Sequence, residues 1–172
     1  MHADSVATVY DRRPVEFSAP IEPRQKQGGW YSGVVTGYNS GMSLSEEPKG
    51  ELVIRTIAMP ADTNPNGDVF GGWLMSQMDL GSTILASKTA KARVVTVAME
   101  GLSFLQPVGV GDTVACYAWV EKIGRTSMTI PVEVWVERFR EHGTQVLVTR
   151  GVFIYVAVDD AGRPIPVQRD RS

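Results

Sequence analysis

The chain holds one cysteine, Cys116, and two histidines, His2 and His142. A single cysteine allows no internal disulfide, which fits a reducing compartment, so the cytoplasm is the expected location. A Ser-His-Asp triad would have to borrow His142 from the EHG turn, since His2 lies in a loose N-terminus. No GxSxG elbow supplies the serine. Cys116 sits in a strand with no histidine nearby to activate it and reads as a packed core thiol. No cysteine pair, HExxH, Walker-type loop or GxGxxG occurs, so neither a metal nor a cofactor is expected. No apolar run reaches the ~18–20 residues that span a bilayer. The N-terminal MHADSVATVYDRRPVEFSAP lacks an apolar signal core, and its Asp4, Asp11 and Glu16 suit a transit peptide poorly. The formal net charge of −2 gives no reason to expect nucleic-acid binding.

What is present suits one folded domain: 172 residues, 43% of them hydrophobic and 21% charged. Residues 1–49 stand apart, with PIEPRQKQGG and GVVTGYNSG rich in Pro, Gly and Ser and without a period. They read as a flexible extension. A chain starting at Met42 would keep all that the core needs, so residues 1–41 are expected to be dispensable; a partner-binding arm is the competing reading. The domain runs over 50–160, and the polar residues 161–172 read as a loose tail.

Within the domain, ELVIRTIAM at 51–59 is a strand and PADTNPNGD at 60–68 is turn chemistry. Residues 71–89 form one helix whose apolar positions, from Trp73 to Leu85, cover most of its circumference, which predicts burial on most sides. Strands follow at 93–99, continuing over 101–107 after a bend. Residues 113–123 and 126–138 form a hairpin, and 146–158 is the last long strand. In 126–138, Met128, Ile130, Val132, Val134 and Val136 share one face, and Glu133 and Glu137 share a solvated one. Pro131 there points to an edge or a bulge. The fold class is therefore α+β: a curved antiparallel sheet wrapped round one long central helix, the hotdog arrangement.

Elimination leaves carboxylate chemistry, and Asp79, inside GDVFGGWLMSQMDLG, is its best candidate. On the helix it lies one turn from Met75 and Ser76 on one side and Ser82 and Thr83 on the other. Burying an ionised carboxylate without a partner costs on the order of several kcal/mol, so such groups are kept where they serve, as in a general base. The plainer alternative is that Asp79 hydrogen-bonds a neighbouring strand. Gly71 and Gly72 open the helix, where free amides and the dipole favour developing negative charge. The alternative for them is tight packing at the helix start.

Three segments in order, DTNPNGDVFGGWLMSQMDLG (62–81), RVVTVAMEGLSFLQPVGVGD (93–112) and GRTSMTIPVEVWV (124–136), resemble the YciA-type acyl-CoA thioesterases of the hotdog superfamily. The likeness spans roughly 50–160. It implies hydrolysis of acyl-CoA to free acid and CoA without a metal, in a homodimer with shared active sites, usually assembled as a trimer of dimers. The family's catalytic Asp falls on Asp79. Its loop Asn falls on Asp68, a departure that removes an amide donor. Gly71 and Gly72 match its oxyanion-hole region, and Asn64 matches a recurrent loop position. Gly124, Arg125, Thr126 and Ser127 match a segment that runs along CoA. The resemblance implies that Asp79 comes from one chain and the Asp68 loop from the other. CoA's phosphates call for cations, and Arg93, Arg125, Lys91 and Arg138 are candidates against a reading as solvated surface charges. Trp73, Met75 and Met78 read mostly as core, with the lining of an acyl tunnel as the alternative.

The chemistry is compatible with so little histidine. A thioester expels a thiolate, whose parent thiol has a pKa of roughly 8.5, so the leaving group needs little acid help. One base and one oxyanion hole suffice, whether Asp79 deprotonates water or attacks directly. A non-catalytic acyl-CoA-binding sensor or scaffold is the alternative function. A hotdog hydratase or dehydratase is a weaker one, since it wants a catalytic histidine.

Overall fold

The computed structural model describes residues 47–139 and 143–167. Most of the expected N-terminal extension lies outside the described residues, as do both histidines and residues 168–172. The elements are β1 (Glu51–Ile57), α1 (Gly71–Ala90), β2 (Arg93–Phe104), β3 (Thr113–Ala118), β4 (Lys122–Ile123), β5 (Ser127–Glu137) and β6 (Gln145–Val158), with a short 3-10 turn at Pro60–Asp62. The strands form one antiparallel sheet in the order β1-β3-β5-β6-β2, and β4 pairs with β5. The helix contacts all five long strands. This is the hotdog arrangement the alternation and the single long helix predict.

The core forms where the inward strand residues meet the helix. Ile130, Val132, Val134, Val136, Phe153 and Tyr155 are buried there, with Leu74, Met78, Ala86 and Ala90 of α1. Gly81 sets how closely α1 approaches β1: a Cβ at this position would stand 2.6 Å from Val53 Cγ2. The bend expected near 101 is a β-bulge. The register of β2 against β6 shifts between Glu100 and Ser103, and Gly101 adopts φ 60°, the left-handed region that glycine enters freely.

Four details depart from the sequence reading. The helix is buried or half-buried on most sides, as expected, but one stripe stays open: Leu80 and Ile84 remain 57% and 60% exposed, because the sheet does not close round α1. Glu133 is buried rather than solvated, and its carboxylate accepts a hydrogen bond from Trp135 Nε1 at 3.0 Å. Pro131 lies in a central strand, not an edge. It is tolerated because β3 ends opposite Val132 and β4 begins opposite Thr129, so the proline faces the irregular join at 119–121 where a ladder amide is not required. Finally, the first part of the supposed tail is ordered. Ile165 donates its amide to the Ala157 carbonyl and Val167 to that of Arg125, both at 2.9 Å, and Val167 is buried.

Candidate active site

Asp79 sits midway along α1, half-buried, on the side that faces β2 and β6. Thr96 of β2 donates its hydroxyl to Asp79 Oδ1 at 2.7 Å. The Tyr155 hydroxyl of β6 lies 3.1 Å from the same oxygen and 3.2 Å from the Asp79 backbone carbonyl oxygen. The Tyr155 oxygen also lies 2.7 Å from Ser82 Oγ and accepts from Thr83 Oγ1 at 3.3 Å. One carboxylate oxygen is thus held by two hydroxyls, while Oδ2 accepts no hydrogen bond among the described residues. Burial pushes the Tyr155 hydroxyl above its ordinary range; the Ser82 and Thr83 hydrogen bonds oppose this and the Asp79 charge adds to it. Tyr155 therefore stays protonated, and a donor, across the neutral range. The anticipated buried position of Asp79 is corrected to a half-buried one, for the same reason that the helix is open on one side.

Gly71 and Gly72 are the first two residues of α1, after the N-cap Phe70, which makes no side-chain cap. Their amides precede the first intrahelical bonds, since Trp73 and Leu74 donate to the Phe70 carbonyl. Gly71 packs under Phe104, whose ring would stand 2.8 Å from an added Cβ; the space beside Gly72 is open. Within one chain these amides do not meet Asp79. Asp79 lies seven positions after Gly72, about 10 Å along the helix axis on the same face.

The loop before the helix is built round Asn64. Its Oδ1 accepts the amides of Asn66 at 2.9 Å and Asp68 at 3.2 Å, and its backbone amide donates to the Asp68 carbonyl at 2.8 Å. Asn64 thus shapes the loop, and its carbonyl oxygen is already engaged. Val69 donates to the Val108 carbonyl and Asp68 bridges to Gly109, which fixes this loop against residues 108–112. The Asp68 carboxylate accepts no hydrogen bond among the described residues.

The 124–127 segment is the tight turn between β4 and β5, closed by the Gly124 amide on the Ser127 carbonyl at 2.8 Å. Thr126 is buried and Arg125 exposed. Arg93 is exposed at the start of β2, and Lys91 forms the helix C-cap in the left-handed conformation. Arg138 is a different case from the other cations. It is locked to Asp112 at 2.8 Å and to the Pro107 carbonyl at 2.7 Å, so it ties a loop down rather than facing a ligand. Cys116 is fully buried, and desolvation pushes its thiol up to about 12, as a packed core thiol requires. Among the described residues no three His, Cys, Asp or Glu side chains gather in a way that would hold a metal ion.

Sequence reasoning missed Tyr155 and Thr96. Each is a hydroxyl inside an otherwise apolar strand, FIYVAV and RVVTVAM, and that interruption was the available signal.

Residues 66–141 match the thioesterase superfamily. The chain is 57% identical over 130 residues to the acyl-CoA thioester hydrolase YciA of Salmonella typhimurium, covering 73% of this chain and 98% of that protein. Among solved structures, the hexameric thioesterase of Yersinia pestis superposes with a TM-score of 0.68 at 56% identity, over 72% of this chain and 99% of that one. A hexameric broad specificity acyl-coenzyme A thioesterase gives 0.68 at 51% identity, over 73% and 86%. On this similarity, the chain belongs to the thioesterase superfamily, in the family of the YciA-type acyl-CoA thioester hydrolases.

Proposed function

We propose that this chain hydrolyses acyl-CoA thioesters to a free carboxylic acid and CoA, with Asp79 as general base or nucleophile and the amides of Gly71 and Gly72 as the oxyanion hole. The relatives' shared activity supports the reaction. The observation that carries the mechanism is the Asp79 carboxylate, with Oδ1 restrained by Thr96 and Tyr155 and Oδ2 left for water or substrate. Two hydroxyls fix the orientation of the base, and a fixed base wastes little reorganisation when it takes a proton. The thiolate leaves without a dedicated acid, and the proposed chemistry uses neither metal nor cofactor.

The same geometry supports a site shared between subunits. A base and oxyanion donors must each lie about 3 Å from the atoms they act on. Donors about 10 Å from Asp79 along one helix are too far to serve the same carbonyl. A second copy that brings its glycine amides and its Asp68 loop to this Asp79 meets the requirement. The exposed Leu80 and Ile84, beside Asp79 on α1, supply apolar surface for such a homodimer. Relatives solved as hexamers support further assembly, which we read as a trimer of dimers. Exposed Arg93 and Arg125 are assigned to the CoA phosphates. Asn64, Gly124, Thr126 and Ser127 are assigned to the pantetheine side of the site, Asn64 by holding its loop in shape. The cytoplasm is the proposed location; among the described residues no helix is long and apolar enough to cross a membrane.

Thiol release from a panel of acyl-CoAs tests the reading. Wild type should turn over, and Asp79→Asn should fall by roughly 10²-fold or more, the scale of a lost general base. Equal rates would remove Asp79 from the mechanism. Tight CoA binding without turnover in either protein would make the chain a binding module instead.

A further inference from the structure

We propose that Tyr155 is a positioning residue for Asp79, and that the Tyr155 and Ser82 hydroxyls form a two-way hydrogen-bond switch that follows the charge on the Asp79 carboxylate. The inference rests on the reading of Asp79 as the reacting carboxylate and adds two residues that act through it.

Tyr155 and Ser82 each own one hydroxyl hydrogen. Tyr155 has three acceptors within reach: Asp79 Oδ1 at 3.1 Å, the Asp79 carbonyl at 3.2 Å and Ser82 Oγ at 2.7 Å. Ser82 has three: the Met78 carbonyl at 2.6 Å, the Tyr155 oxygen at 2.7 Å and, at the limit of reach, the Asp79 carbonyl at 3.5 Å. The 2.7 Å contact between the two hydroxyls must carry one of their hydrogens, and two arrangements that do so answer the two charge states of the carboxylate. In the first, Ser82 donates to Tyr155 and Tyr155 donates to Oδ1, which suits an ionised carboxylate. In the second, Ser82 turns to the Met78 carbonyl and Tyr155 turns to Ser82, which suits a neutral carboxyl that no longer needs the donor. Thr83 donates to the Tyr155 oxygen in both.

Both hydroxyl groups are fully buried, where an unsatisfied donor costs about 1–3 kcal/mol. The alternative acceptors remove that cost in each charge state. No proton leaves either residue and no heavy atom moves; two hydroxyl hydrogens rotate while Asp79 takes up or releases its own proton. Two hydroxyls touch the carboxylate, those of Thr96 on β2 and Tyr155 on β6; Ser82 and Thr83 on α1 reach it through Tyr155. Tyr155 is the titratable one among them, and its burial keeps it a donor.

Steady-state thiol release by the full chain, measured across pH for wild type, Tyr155→Phe, Ser82→Ala and Asp79→Asn, tests the switch. Tyr155→Phe deletes a donor to the ionised carboxylate. We expect kcat to fall roughly tenfold, the scale of one hydrogen bond to a charged group, with KM within about twofold. The acid limb of kcat/KM should move to higher pH. Ser82→Ala removes the acceptor that serves the neutral state, so its acid limb should move to lower pH. A merely structural role gives no such opposed displacements. An unmoved limb in Tyr155→Phe, or shifts of the same sign in both variants, overturns the switch; if Asp79→Asn is inactive at the same time, the proposed function stands. Wild-type turnover in Asp79→Asn overturns both. Should Tyr155→Phe melt early, Ser82→Ala decides by itself, and an acid limb that fails to move to lower pH sinks the proposal.

Discussion

Thr96 Oγ1 lies 2.7 Å from Asp79 Oδ1 and joins the edge strand β2 to the middle of α1. The contact is the shortest hydrogen bond the carboxylate receives among the described residues, and it sets which oxygen is left open. Thr96→Val keeps the shape and the strand preference and deletes the hydroxyl. Hydrogen bonds to charged groups are worth about 1.5–3 kcal/mol, less where water competes. We therefore expect a fall of roughly tenfold in kcat/KM, read by thiol release. Thr96→Ser, which restores the donor, should recover most of it.

Gly72 offers a cleaner test of the amide pocket than Gly71, because the space beside it is open. Gly72→Ala keeps the N–H and adds a methyl that meets nothing within 4 Å in its own chain, so it controls for the added bulk at this position. Gly72→Pro removes the N–H. Proline is accepted in the first turn of a helix, where that amide has no intrahelical partner, and the preceding glycine reduces the clash. Loss of one oxyanion donor costs about 10²–10³ in kcat. The proline variant should show that loss with an unchanged melting curve, and comparable rates for the two variants would move the oxyanion hole elsewhere.

The helix and the strands were readable because their signals are local: an unbroken run of helix formers over 71–89, and alternation in 126–138. The bend near 101 was legible as a break in the strand pattern. Pro131 and Glu133 misled for one reason. Whether a strand is central, and whether its outer face is covered, depends on neighbours far away in the chain. The same limit hid half of the candidate site. Asp79 stood out as a charge in an apolar helix, yet Tyr155, 76 residues further on, meets it only through the β6–helix contact. Nothing in FIYVAV states which helix residue its hydroxyl will reach. The open side of α1 was also invisible, since a helix with apolar residues round most of its circumference looks the same whether sheet or a second subunit covers it.

Cys116 and Tyr155 both predict a loss of stability in alkali. A group that holds its proton more tightly in the folded chain adds stability below its unfolded value, and that gain drains away as pH rises through the folded one. For Cys116 the window runs from 9.0 to about 12; for Tyr155 it opens at 10.0. Denaturant midpoints should therefore fall steadily above pH 9. Cys116→Ala, though less stable at neutral pH because of the methyl-sized gap, should show a shallower fall. The folded protein should also leave a thiol dye unreacted at pH 8, which keeps the background of the activity assay flat.

Leu80 and Ile84 test whether the site needs two chains. They lie one turn apart on the open side of α1, close to Asp79. Leu80→Glu with Ile84→Glu places two charges on that surface while leaving the sheet-facing residues untouched. Light scattering should then report a smaller particle, and turnover should fall by roughly 10²-fold or more, because each chain alone keeps base and amides about 10 Å apart. Complementation separates loss of the interface from local damage near Asp79. Asp79→Asn and Gly72→Pro are each expected to be inactive alone. Unfolded, mixed in equal amounts and refolded together, half of the dimers would pair one of each, and each such pair holds one site with both halves intact. Activity should return to about a quarter of wild type. A site built within one chain would give no recovery at any mixing ratio, and the shared-site reading would then fail while the hydrolase reading survived.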